Sequence, residues 1–275
     1  MRNPMNMKRI AAALLLLTLA TAAGAAEIRG AWTADASDKD GQAYFQFNRK
    51  GSNNGRTMQL ASFSGLTSAQ VRSTSQVPVT FTLPAEAGTV TLEGTFKGGF
   101  GAGQFSFAPN PAFFDTVRAM GVSVESEKRR NGRERDQDER LLQFALSDLS
   151  TAFIQSMRAA GHDVSLDKYL AFRIFNVTPA WIRELNDLGY RDLDSDKLIA
   201  FRIHKVTPEF VRGMRELGYD DIDADKLVAM RIHRVTPEFV RELKAAGYSG
   251  IPVDKLIAMR IHGVDAEFAR RMNGQ

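Results

Sequence analysis

Asp196-Lys197-Leu198-Ile199-Ala200-Phe201-Arg202-Ile203-His204-Lys205-Val206-Thr207-Pro208 decides how this chain is read, because the phrase returns at a fixed interval. Val177-Thr178-Pro179, Val206-Thr207-Pro208 and Val235-Thr236-Pro237 stand 29 residues apart, and Val264-Asp265-Ala266 continues the series without its proline. The runs before them match: residues 171–177 read AFRIFNV, 200–206 AFRIHKV, 229–235 AMRIHRV and 258–264 AMRIHGV. A period of this size predicts stacked supersecondary units, each covering the apolar face of its neighbour. Such arrays present surfaces for binding, so the period points first to an interaction protein.

Punctuation inside the unit predicts two helices. Asp196 is placed to cap a helix over 197–205; Thr207 caps a second, with Pro208 at its first position and Gly218 at its end. On the second helix Phe210, Met214 and Leu217 recur at i, i+4 and i+7, which turns Arg212, Arg215 and Glu216 toward water. The first helix is apolar nearly all round, as expected of one packed between units. Residues 142–157 fit the template weakly and 266–274 form a truncated final helix, giving four to five units over about 138–275. Degraded end units are what capping requires.

Residues 27–109 follow another rule. Val77, Val79, Phe81 and Leu83 alternate along one strand, Val90, Leu92 and Phe96 along the next, and Phe105 and Phe107 along a third. Residues 97–103, KGGFGAG, are flexible enough to turn the last pair into a hairpin. Earlier strands are expected over 28–33, 43–48 and 56–61, with residues 51–55 as a polar turn. The expected fold class is α+β: a small N-terminal antiparallel β domain, as a sandwich or an open barrel, followed by a solenoid-like array of α-helical hairpins of about 29 residues. Between them, 110–137 holds a divergent helix, PAFFDTVRAMG, and a charged stretch around Lys128-Arg129-Arg130-Asn131-Gly132-Arg133, read as solvated linker.

Arg2, Lys8 and Arg9 precede an apolar run over 10–20, and small residues follow to Ala26, the pattern of a secretory signal cleaved after Ala25 or Ala26. An uncleaved N-terminal anchor is the alternative. The remainder has no second apolar run long enough to span a bilayer, so a periplasmic or secreted location is expected. That segment carries three of the 36 basic residues and none of the 32 acidic ones, leaving 33 against 32. Net charge therefore gives no support to a nucleic-acid partner. The chain has no cysteine, which excludes disulfides, thiol nucleophiles and thiolate metal sites.

Three of the four histidines, His204, His233 and His262, share one repeat position, each two residues after Arg202, Arg231 or Arg260. They form either a cationic ladder that clasps an acidic partner segment or a set of helix C-terminal residues favoured by the helix dipole. Side chains on successive helices, with axes about 8–10 Å apart, do not converge on one metal ion. Asp192, Asp194 and Asp196, like Asp221, Asp223 and Asp225, alternate as in a calcium loop, yet Lys197 or Lys226 holds the position an EF-hand gives to glycine. Helix capping by Asp196 and Asp225 explains them. Tyr190, Tyr219 and Tyr248, each after a glycine, read as hydrophobic contacts closing helix ends. No HExxH, GxSxG or phosphate-loop motif occurs, and no histidine lies in the sheet domain to serve a serine nucleophile. No catalytic residue, cofactor or metal ligand is assigned.

The unit TPEFVRxMRELGY…DKLIAxRIHxV resembles a helical repeat of bacterial exported and envelope proteins. Similar repeats form C-terminal extensions of some metallopeptidases of the β-lactam-sensor type, and follow small sheet domains whose strand looks like FKGGFGAGQFSFAPNP, residues 96–111 here. The resemblance covers about 96–275 and implies an envelope protein; the peptidase part is absent, so it implies no proteolysis. The expected function is that of an exported, non-catalytic protein binding an unidentified envelope protein through its repeats, with Arg183, Arg212, Arg215 and Arg241 setting partner choice by charge. The alternatives are an enzyme or ligand and glycan binder using a cleft beside the β domain, and a structural homo-oligomer.

Overall fold

Alternating apolar and polar residues produce strands wherever one face of a sheet is covered. The computed structural model describes residues 28–37, 39, 41–49, 52–125, 136–265, 267, 268 and 271; the signal read over 1–26 and the basic run from Lys128 to Arg133 lie outside the described residues. β1 (Ile28–Ala36), β2 (Gln42–Arg49), β3 (Ser52–Gln59), β4 (Val77–Ala85), β5 (Gly88–Lys97) and β6 (Phe100–Pro109) form one antiparallel sheet in the order β3-β2-β1-β6-β5-β4. Two strands outrun the expectation. Ser52 to Gly55 belong to β3, where Ser52 pairs with Arg49, and Gly101 to Gly103 belong to β6. The last hairpin turns on Gly98 and Gly99 alone, both at positive φ, which matches the right-handed twist of the flanking strands.

The sheet is single and strongly curled. From β2 to β4 is four strand steps, about 19 Å along a flat sheet, yet the rings of Phe45 and Phe81 lie 6.2 Å apart. Trp32, Phe63 and Phe96 fill the space between, each within 5.5 Å of another ring. Such curvature needs bare backbone where β5 and β6 cross: a Cβ added to Gly103 would stand 1.9 Å from the Glu93 carbonyl oxygen. A 3-10 turn at Leu60–Ser62 bridges the open side, with Leu60 N–H donating to Gly41 O at 2.7 Å and Ser64 pairing with Thr82. The helix α1 (Ser68–Val71) follows. One curled sheet removes the sandwich and leaves the open barrel.

The helices are α2 (Ala112–Ala119), α3 (Gln137–Leu146), α4 (Thr151–Ala159), α5 (Leu166–Ile174), α6 (Pro179–Asp187), α7 (Ser195–Ile203), α8 (Pro208–Arg215), α9 (Ala224–Ile232), α10 (Pro237–Ala245) and α11 (Val253–Ile261). The fold is therefore α+β. Val-Thr-Pro is the joint within a unit. Val206 N–H donates to Phe201 O at 2.8 Å across Lys205, whose φ is 57°, and the buried valine side chain seals that helix end. Thr207 Oγ1 then accepts from Phe210 N–H, and Pro208 opens α8. Thr178 and Thr236 do the same for α6 and α10. α5 packs on α7, α7 on α9 and α9 on α11, while α8 packs on α10.

Asp196 does not cap α7. The helix starts at Ser195, so Asp194 takes the cap and accepts from Lys197 N–H at 2.7 Å. Asp196, two residues on within the first turn, instead meets Lys168 Nζ of α5 at 2.6 Å. The pattern repeats as Lys197 with Asp225 and Lys226 with Asp254. Asp225 likewise does not cap α9, where Asp223 holds the cap position without a side-chain hydrogen bond; the alternating carboxylates thus serve ion pairs between units and, at Asp194, a helix start.

The helices meet the sheet through α3, which leans on β4, β5 and β6. Arg140 on α3 is 5% exposed; it donates to Asp167 Oδ1 at 2.9 Å and Val124 O at 3.0 Å, and faces the rings of Phe114 and Phe144. Farther out, Arg49 pairs with Glu139 at 2.6 Å, and Glu86 accepts from the Thr151 backbone and hydroxyl at the start of α4.

Candidate functional site

The repeated arginines face inward. Arg202, Arg231 and Arg260 stack on Trp181, Phe210 and Phe239, at 3.9, 5.0 and 4.9 Å from the ring centroids. Each ring belongs to the second helix of the preceding unit, and Arg173 lies over Phe153 in the same way at 5.0 Å. A planar guanidinium half out of water suits an aromatic face. Arg231 Nε also donates to His204 O, and Arg173 Nε to Ser147 O, so the ladder closes the C-terminal ends of first helices. Burial lowers the Arg202 guanidinium below its ordinary value, with Glu184 opposing. His204, His233 and His262 stand at the C-terminal caps of α7, α9 and α11.

Of the arginines expected to select a partner, Arg183, Arg212 and Arg241 are exposed. Arg212 and Arg241 each reach a glutamate one turn back, Glu209 at 3.3 Å and Glu238 at 3.1 Å. Hydrogen bonding to their own backbone N–H holds both carboxyls below the usual range, with Thr207 and Arg212, or Arg241 and Thr236, adding to it. Arg215 differs from the expectation of a solvent-facing residue. It is half-buried and donates to Leu188 O at 2.6 Å, closing the end of α6. The tyrosines also do more than pack: Tyr190 Oη donates to Ile222 O at 2.7 Å and Tyr219 Oη to Ile251 O at 2.8 Å, each in the next unit.

Two features were not singled out from sequence. Ile174, Ile203, Ile232 and Ile261 are 54, 49, 51 and 55% exposed, although the first helices read as apolar on all sides. The isoleucine shared by the RIF and RIH phrases was the available signal; its direction depends on how first helices stack. The second feature is a cleft of about 440 Å³ between β3 and the ends of α3 and α5, lined by Phe47, Gly55, Arg56, Thr57, Arg173 and Ile174 among others. Its lining includes two guanidiniums and no carboxylate. Arg56 Nη1 donates to Leu146 O at 2.6 Å, while Arg173 Nη2 meets Asp148 at 2.5 Å. Burial, then the charge of Arg173, lowers the Arg56 guanidinium, and Asp148 works against them.

Among the described residues no group of three or more His, Asp or Glu side chains is placed to hold a metal ion, and no helix is long and apolar enough to cross a membrane. Comparison with known protein families, characterised proteins and solved structures finds no match.

Proposed function

We propose that this is an exported, non-catalytic protein of the bacterial envelope whose helical units form a solenoid-like array that binds another protein. The observation that carries the reading is the isoleucine ladder: one half-exposed apolar side chain at the same place in four successive units. Aligned apolar side chains flanked by charge are what a protein-binding face requires. Arg183, Arg212 and Arg241 lie exposed on the second helices and supply charge complementarity; Arg215 is held by Leu188 O. The resemblance of the repeats to those of exported proteins supports the location.

The test is affinity capture from envelope extract with the chain beginning at Glu27. Ile203→Asp/Ile232→Asp is expected to lose the retained protein while helical circular dichroism stays unchanged. Equal retention by wild type and variant would sink the assignment of the ladder. A second reading, binding of a ligand in a cleft beside the sheet, is favoured by the cavity at β3.

A further inference from the structure

Among the described residues β3 is an edge strand of the sheet, paired only with β2, and hydrogen-bond parity tells which of its backbone groups face away from β2. Leu60 N–H donates to Gly41 O, while on the far side of β2 Ser37 N–H donates to Gln42 O. In an antiparallel ladder each residue turns its N–H and C=O to one side, and the side alternates along the strand. The register that pairs Gln42 with Gln59 therefore turns Arg56 and Met58 toward β2, and Asn53, Gly55 and Thr57 outward. Gly55 and Thr57 also line the cleft, with Asn54 and Arg56 of the same strand.

Three properties converge there. Outward N–H and C=O groups form a template for one more strand. Ile174, more than half exposed, offers an apolar contact on the opposite wall. Arg56 and Arg173 leave a net positive charge at a lining without a carboxylate, even with Asp148 paired to Arg173 behind it. A short helix or a compact metabolite would leave the edge donors and acceptors unmatched, whereas an extended chain answers them at alternate residues.

We propose that this cleft binds an extended, carboxylate-bearing peptide segment of a partner, which adds as a seventh strand along β3 with its carboxylate beside Arg56 and Arg173. The inference stands apart from the array reading, since it rests on the sheet edge, although Ile174 belongs to both the cleft and the ladder.

The probe is a phage-displayed library of random heptapeptides, panned on the chain beginning at Glu27, with selected sequences resynthesised as carboxylates and as the corresponding amides. Thr57→Pro removes an outward N–H that makes no ladder bond, a change an edge strand tolerates, and its ring obstructs strand addition. Selected peptides are expected to be acidic, and to bind at least tenfold more weakly to Thr57→Pro and as amides. On the wild-type chain they are expected to slow amide exchange at Gly55 and Thr57 without slowing it on the array; that measurement stands even if the variant does not fold. Failure to enrich any peptide, equal binding to Thr57→Pro, equal binding of the amides, or protection confined to the helices would each overturn the proposal. The last outcome would favour the array as the binding face.

Discussion

His162 lies in the loop after α4 with its ring 6.0 Å from that of Phe172, and burial lowers its proton affinity below the ordinary value of 6.5. The unfolded chain therefore takes up this proton at a higher pH than the folded protein does. Its contribution to stability is complete above about 6.5 and is lost as pH falls below that value toward the lowered folded-state one. Urea unfolding between pH 7.5 and 5 is expected to show declining stability for the wild type and a shallower decline for His162→Gln. Parallel profiles would mean that other groups carry the acid sensitivity.

Within an element, the decisive choices are local. A Val-Thr-Pro triplet ends one helix and starts the next because its valine, threonine and proline meet three successive geometric demands. Such signals act over three to five residues, so the caps of α6, α8 and α10 were legible before any fold was known. One local demand is met poorly. Asn176, Lys205 and Arg234 occupy the left-handed position just before the triplet, where Gly263 stands in the last unit. Arg234→Gly is expected to raise the free energy of unfolding by about 0.5–1 kcal/mol, the strain relieved less the entropy glycine adds to the unfolded chain. Chemical denaturation checks it; a loss of stability would show that the arginine side chain makes compensating contacts. The aspartate loops misled at this same scale, because Asp194 and Asp196 are equally good caps in sequence and only the paired lysine of the preceding unit separates their roles.

At the scale of the molecule Arg140 ties α3, the helix that leans on the sheet, to Val124 after α2 and to Asp167 at the start of α5. Removing one partner of a buried pair is strongly destabilising, so Arg140→Met is expected to cost about 3–5 kcal/mol. Arg140→Met/Asp167→Ala is expected to recover more than half of that loss in equilibrium unfolding. A double variant as unstable as the single one would show that packing, and not charge, carries the joint.

By itself the sequence determined that strands come first and helices follow, and it determined the threonine caps of α6, α8 and α10, because each depends on neighbours a few residues away; the 29-residue period is read from it directly. Tertiary structure alone decided the curl that brings Phe45 against Phe81, the stacking of Arg202, Arg231 and Arg260 on rings of the preceding unit, and the outward turn of the isoleucines. Those outcomes join residues more than twenty positions apart. Their geometry follows from the offset between stacked helices and the twist accumulated across strands, neither of which is written in any single segment.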